Sequence, residues 1–145
     1  MAKYHISATT SAAAASAAFC TIRAGASSRV RIREIGFSNN AATASSVALL
    51  RATNAFVATT SALGQAYDTG DPASIANLDT AWSTAPTVTI ANSMRRWALP
   101  ATIGAGVIWQ FDDLVAGPAG TAGLVLWNFG AATASALNVY VVWEE

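Results

Sequence analysis

The stretch from Gly123 to Glu145 constrains the fold more than any other. An apolar run, Leu124 to Phe129, is followed by small residues from Gly130 to Ser135 and then by strict alternation. Leu137, Val139, Val141 and Trp143 fall on one face, and Asn138, Tyr140 and Val142 on the other. A two-residue period marks a half-buried strand, because successive side chains leave a pleated strand on opposite sides. Two such runs joined by Gly, Ala, Thr and Ser read as a hairpin-like pair, with the last strand expected in a central part of the fold.

The pattern occurs twice. Ile35 to Leu50 aligns without gaps on Val125 to Tyr140, at an offset of 90 residues. Ala-Ala-Thr-Ala-Ser stands in both, at 41–45 and 131–135, and Phe37, Val47 and Leu49 match Trp127, Leu137 and Val139. Two copies fall short of the roughly three that a solenoid needs. The aligned apolar positions point to two equivalent strand pairs in a two-sheet sandwich.

Length and charge narrow the class. A chain of 145 residues is one domain by its length. Only 11% of its residues are charged and the formal net charge is zero. Nucleic-acid binding rests on clustered positive charge, so this balance argues against it. Low charge also favours association. Ala supplies 34 residues, so the exterior is expected to be rich in small, uncharged side chains, as suits a protein packed in an assembly. One cysteine, Cys20, excludes an intrachain disulfide, and one histidine, His5, excludes a histidine cluster. No apolar run reaches the roughly 18 residues of a membrane span. The Ala-rich run from Ala12 to Ala18 is too weakly apolar for a signal peptide, and the chain reads as mature.

Taken in order, Lys3 to Ser7 reads as a strand and Ala8 to Ala18 as an extended arm or loop. Residues 1–18 are thus expected as an N-terminal strand or arm with a small-residue segment, ahead of one β-sandwich domain, 19–145. Further strands are expected at Phe19 to Ala24, Ser28 to Phe37, Val47 to Ala52, Ala55 to Thr59, Thr87 to Ala91, Arg95 to Leu99 and Val107 to Phe111. The phase slips at Glu34–Ile35, which predicts a bulge. Asp71-Pro72 followed by Ile75, Leu78 and Trp82 predicts a short helix near Pro72–Thr80 in a long loop. Asp112-Asp113 is expected in a loop. The total is all-β: an antiparallel two-sheet sandwich of about eight strands.

No constellation carries catalysis. Asp112 and Asp113 are adjacent, so on a strand they point apart and cannot flank one substrate atom. No metal site or cofactor is expected, since one His and one Cys make no ligand set. A calcium site from Asp68, Asp71 and Asp79 competes with simple turn capping. Arg29, Arg31 and Arg33 form a row about 13 Å long at about 3.3 Å per residue. It reads either as a solvated strand face or as a contact for an acidic partner or neighbouring subunit. Arg95, Arg96 and the adjoining Trp97 form a second basic-aromatic spot. Trp82 either anchors an interface or folds back into the core. With Lys3, Tyr4 and His5 of the N-terminal segment, these are the candidate contact residues.

Arg31-Ile-Arg-Glu-Ile-Gly-Phe37, Thr80-Ala-Trp-Ser-Thr-Ala-Pro86, Gly104-Ala-Gly-Val-Ile-Trp109, and Val125-Leu-Trp-Asn128 with Val141-Val-Trp143 carry a resemblance. Over Arg23 to Glu145 the chain resembles jelly-roll cement or decoration proteins of tailed bacteriophages. The resemblance implies an eight-stranded jelly roll, commonly trimeric, on the outer capsid surface of a virion. Such a protein is made in the host cytoplasm and clamps the major capsid protein. It implies no enzymatic activity and no nucleic-acid, membrane or small-molecule partner. The rival reading is a carbohydrate- or receptor-binding head module of a phage fibre or adhesin, with Trp82 and the loop aspartates as its site. A metal-dependent enzyme on a jelly-roll scaffold needs several histidines, and there is one.

Overall fold

The computed structural model describes residues 1–145. It contains eleven strands: β1 Lys3–Thr9, β2 Ala17–Ala24, β3 Val30–Asn39, β4 Ser45–Arg51, β5 Val57–Leu63, β6 Gln65–Ala66, β7 Ala76–Thr84, β8 Arg95–Leu99, β9 Gly106–Ala116, β10 Leu124–Asn128 and β11 Leu137–Glu144. One sheet runs β6-β1-β11-β3-β9 and the other β5-β7-β2-β10-β4-β8. All their pairings are antiparallel. The fold is the all-β, two-sheet sandwich expected. Its four-strand blocks β1-β11-β3-β9 and β2-β10-β4-β8 follow the jelly-roll order. The segment between β4 and β8 adds the other three strands.

The alternating C-terminal strand sits where its pattern places it. β11 is the middle strand of its sheet, and Leu137, Val139, Val141 and Trp143 are all at most 2% exposed. They meet Leu124 and Leu126 of β10, Ile32, Ile35 and Phe37 of β3, and Leu49 of β4 in one core. Each such side chain contributes about 1.5–3 kcal/mol when fully buried. Trp143 stacks on Tyr4 at 6.2 Å between centroids, and Phe37 meets Trp109 edge-on at 4.8 Å. The unbroken apolar run of β10 has its own cause. Leu124 and Leu126 enter this core, while Val125 enters a second cluster with Ala52 and Phe56. A strand covered on both faces needs no polar alternation.

The hairpin expectation is corrected. β10 and β11 lie in different sheets, as do β3 and β4, so each connection is an arch across the sandwich. The repeat is nonetheless structural. β3 pairs β11 and β4 pairs β10, so the two copies interlock about an approximate two-fold relation. The arches run at the surface, with residues 41–44 and 131–133 exposed, and only their ends enter the core. Ser45 and Ser135, equivalent in the repeat, are both buried. The Ser135 N–H donates to Ser45 Oγ at 3.2 Å.

Other expectations are revised. The helix near Pro72–Thr80 is absent; β7 occupies Ala76–Thr84, with Ala76 and Leu78 in the core. The three-and-four spacing of Ile75, Leu78 and Trp82 was coincidental, and pairing of β7 to both β2 and β5 decides the local structure. The strand expected at Thr87 to Ala91 does not form, and a single 3₁₀ turn covers Ile90–Asn92. Asp112 and Asp113 lie inside β9, not in a loop. The bulge of β3 is at Arg33, one residue before the expected slip: Val142 faces Glu34 and Trp143 faces Ile32. The strand expected at Lys3 to Ser7 forms as β1, extended to Thr9 and paired to β11 along its length.

Candidate functional site

The residues singled out from the sequence separate into three places. Arg29, Arg31 and Arg33 lie at one end of the sandwich, where β3 begins and β9 and β11 end. They do not form a uniform row. Arg29 precedes β3 and is exposed, Arg31 is exposed on the strand, and Arg33 occupies the bulge. The bulge turns Arg33 onto Glu144, to which it donates from Nη2 at 2.6 Å and Nε at 2.9 Å. It also donates to the Asp112 carbonyl at 2.9 Å. The Arg33 hydrogen bond is the main reason the Glu144 carboxyl is held below its usual range. Arg33 is therefore internally paired, whereas Arg29 and Arg31 have no carboxylate within ion-pair distance.

Arg51, not singled out from the sequence, joins Arg29. Its Nη1 and Nη2 donate to the carbonyls of Ala122 and Val115, both at 2.9 Å, which fixes the guanidinium at the end of β4. Arg29 and Arg51 together line a pocket of about 300 Å³, with Thr121 and Gly117. The available signal was an arginine closing an otherwise apolar strand.

Lys3, Tyr4 and His5 belong to β1. Tyr4 is 1% exposed and its hydroxyl donates to the Pro72 carbonyl at 2.9 Å, so it offers no surface to a partner. His5 packs on Tyr67 at 4.6 Å, and Lys3 is exposed. Arg95 and Arg96, on the edge strand β8, lie over Phe111 and Phe129 at 4.4 and 5.5 Å. Arg95 donates to the Gln110 carbonyl at 2.9 Å and so ties the two sheet edges β8 and β9 together. Trp82 folds back: it is half-buried, packs on the second cluster, and its Nε1 donates to Thr21 Oγ1 at 3.1 Å.

The three aspartates considered for calcium do not come together. Asp79 is fully buried and accepts from Arg23 Nε, Thr21 Oγ1 and Ser61 Oγ, while Asp68 and Asp71 stand in the loop after β6. No group of three or more His, Cys, Asp or Glu side chains is placed to hold a metal ion. Cys20 is buried, which pushes its thiol pKa up and disfavours the reactive thiolate.

The largest concavity, about 970 Å³, lies against the β1-β11-β3-β9 sheet and is lined by Ser7, Thr9, Ser38, Ile108, Asn138 and Tyr140, among others. Tyr140 rests over Gly36, its cross-strand partner, where an added Cβ would sit 2.1 Å from the ring. Its hydroxyl donates to Glu34 at 2.5 Å. That bond is the first cause, ahead of burial, of a phenol pKa pushed up to about 12. The result is an aromatic ring held against the sheet among small polar side chains.

The fold and these surfaces define a jelly-roll β-sandwich with an arginine pocket at one end and a groove against one sheet. Comparison with protein-family models, with curated proteins and with solved structures found no match.

Proposed function

We propose that the protein is a non-enzymatic virion structural protein. In this reading it is a capsid cement or decoration protein that binds the outer capsid surface as a homotrimer and clamps neighbouring copies of the major capsid protein. The observation that carries this reading is the apolar exposure along the side formed by β8, β9 and their connection. Trp97, Ile103 and Ile108 there are 49, 68 and 59% exposed. Large apolar side chains grouped on one side of a protein mark a surface that other proteins cover. Low charge supports the same reading, since little electrostatic repulsion opposes close packing of copies. The mechanism is additive burial: each bound copy adds apolar contact, at roughly 25 cal/mol per Å², and the many copies on a shell must all let go for it to open. The test is sedimentation of the purified protein with undecorated shells. Co-sedimentation at a fixed ratio is expected, and its absence would overturn the proposal.

The rival, a carbohydrate- or receptor-binding head module, is favoured by one observation, the groove that holds Tyr140. It draws no support from Trp82 and Asp79, which have internal partners. Binding on a glycan array that disappears in Tyr140→Ala would favour this rival, and no binding would dismiss it.

A further inference from the structure

The chain holds eight basic and eight acidic residues, yet only two ion pairs form within it, Arg23–Asp79 and Arg33–Glu144. Several other charges have local anchorage. Arg95 and Arg96 sit over aromatic rings. Glu34 accepts from Tyr140, and Glu145 from Trp143 and the backbone of Ile75. Among the charges without an ion pair, two of each sign are gathered in one place. Arg29 and Arg51 line a single pocket, with no carboxylate in contact. Asp68 and Asp71 stand in one loop, where the Gly70 N–H donates to Asp68 at 2.9 Å and neither carboxylate has an ion pair.

Both pairs lie at the same end of the sandwich. The aspartate loop leaves β6 beside the start of β1, where the Tyr67 N–H donates to the Lys3 carbonyl. The arginines flank the start of β3 and the end of β4. β6 and β3 are three strand spacings apart in the sheet, roughly 14 Å at about 4.8 Å each, and no ion pair joins the two loops within one chain.

We infer that the Asp68–Asp71 loop of one copy docks on the Arg29–Arg51 pocket of the next. A second copy is the fitting occupant because the net charge is zero and the same chain supplies both halves in equal number. Guanidinium and carboxylate match in shape as well as sign, since two parallel N–H groups can meet two oxygens. The contact joins two different surfaces, so it is heterologous, and its repetition gives a ring where the rotation between copies closes, as the trimer of the proposed function requires. This inference rests on the reading of the protein as a self-assembling one and names the contact that joins its copies.

The test is charge reversal, read as mass by light scattering. Arg29→Glu alters the basic side and leaves Arg51 holding its two carbonyls; Asp68→Lys with Asp71→Lys alters the acidic side. Arg29 and Asp68 are exposed and Asp71 half-buried, all in loops, and circular dichroism checks that the variants fold. Wild type is expected to assemble, each variant to run as a single chain, and the chain carrying all three changes to assemble again. Raised salt is expected to weaken the wild-type assembly. Assembly retained in both variants, or not regained in the combination, overturns this contact while the assembly reading stands. A wild type that is a single chain at every concentration overturns both.

Discussion

The backbone N–H of Ser135 donates to Oγ of Ser45 at 3.2 Å, which joins the two arches where the internal repeat crosses itself. Ser45 in turn donates to the buried Asn39 side chain at 2.7 Å, and Ser135 Oγ accepts from the Ala41 N–H at 3.0 Å. The same Ala-Ala-Thr-Ala-Ser segment thus ends, in both copies, in a serine that serves the other copy. Ser45→Ala leaves a buried N–H and the Asn39 carbonyl oxygen without this hydroxyl. The expected cost is about 1–3 kcal/mol, read as a lower urea midpoint with an unchanged slope.

The pair Arg23–Asp79, with its carboxylate fully buried and its guanidinium partly exposed, ties β2, β5 and β7 together, with Thr21 and Ser61 on the same carboxylate. Removing one partner of a buried pair strands the other. Asp79→Ala is expected to cost roughly 3 kcal/mol or more in chemical unfolding. Trp82 bonds the same Thr21 hydroxyl, so its fluorescence is expected to change in the folded variant.

Gly64 lies under Trp143: a Cβ there would sit 2.2 Å from the indole ring. Trp143 is 1% exposed and stacked on Tyr4, so it has no free direction in which to move. Gly64→Ala is expected to destabilise by about 1–3 kcal/mol through overpacking. Gly104→Ala meets no neighbouring atom but has φ of +81°, so its penalty is backbone strain alone.

Two groups give the protein opposite pH edges. Tyr140, with its pKa raised to about 12, adds stability that is full below the ordinary phenol value near 10 and is lost as pH rises through 12. Glu144, held low by Arg33, adds stability that is full above the ordinary carboxylate range and is lost as pH falls through its lowered value. Ultraviolet titration of the phenols is expected to show late ionisation that moves earlier in Glu34→Gln. The acid arm of the unfolding curve is expected to flatten in Arg33→Ala.

Legibility followed the burial pattern. β11 was readable because one face is core and the other faces outward, which writes alternation into Leu137, Val139, Val141 and Trp143. β7 was not, because Leu78 and Asp79 are adjacent and both buried, one in the core and one in a polar network. That breaks the two-residue period and leaves Ile75, Leu78 and Trp82 to imitate a helix. The sheet crossing of β10 and β11 was hidden because a small-residue connection serves a hairpin and an arch equally well. At the surface, the basic row was visible as residue spacing, but its division was not. Arg33 is internally paired by a bulge that only the packing of Glu144 reveals, and Arg51 joins Arg29 through a loop more than sixty residues away in sequence, at Val115 and Ala122.

The account rests on a surface built to be covered by further copies, and the mass of the purified protein in solution tests that most directly. Light scattering across a concentration series is expected to give a stable species of three times the 14.9 kDa chain. A single species of one chain mass at every concentration would contradict it.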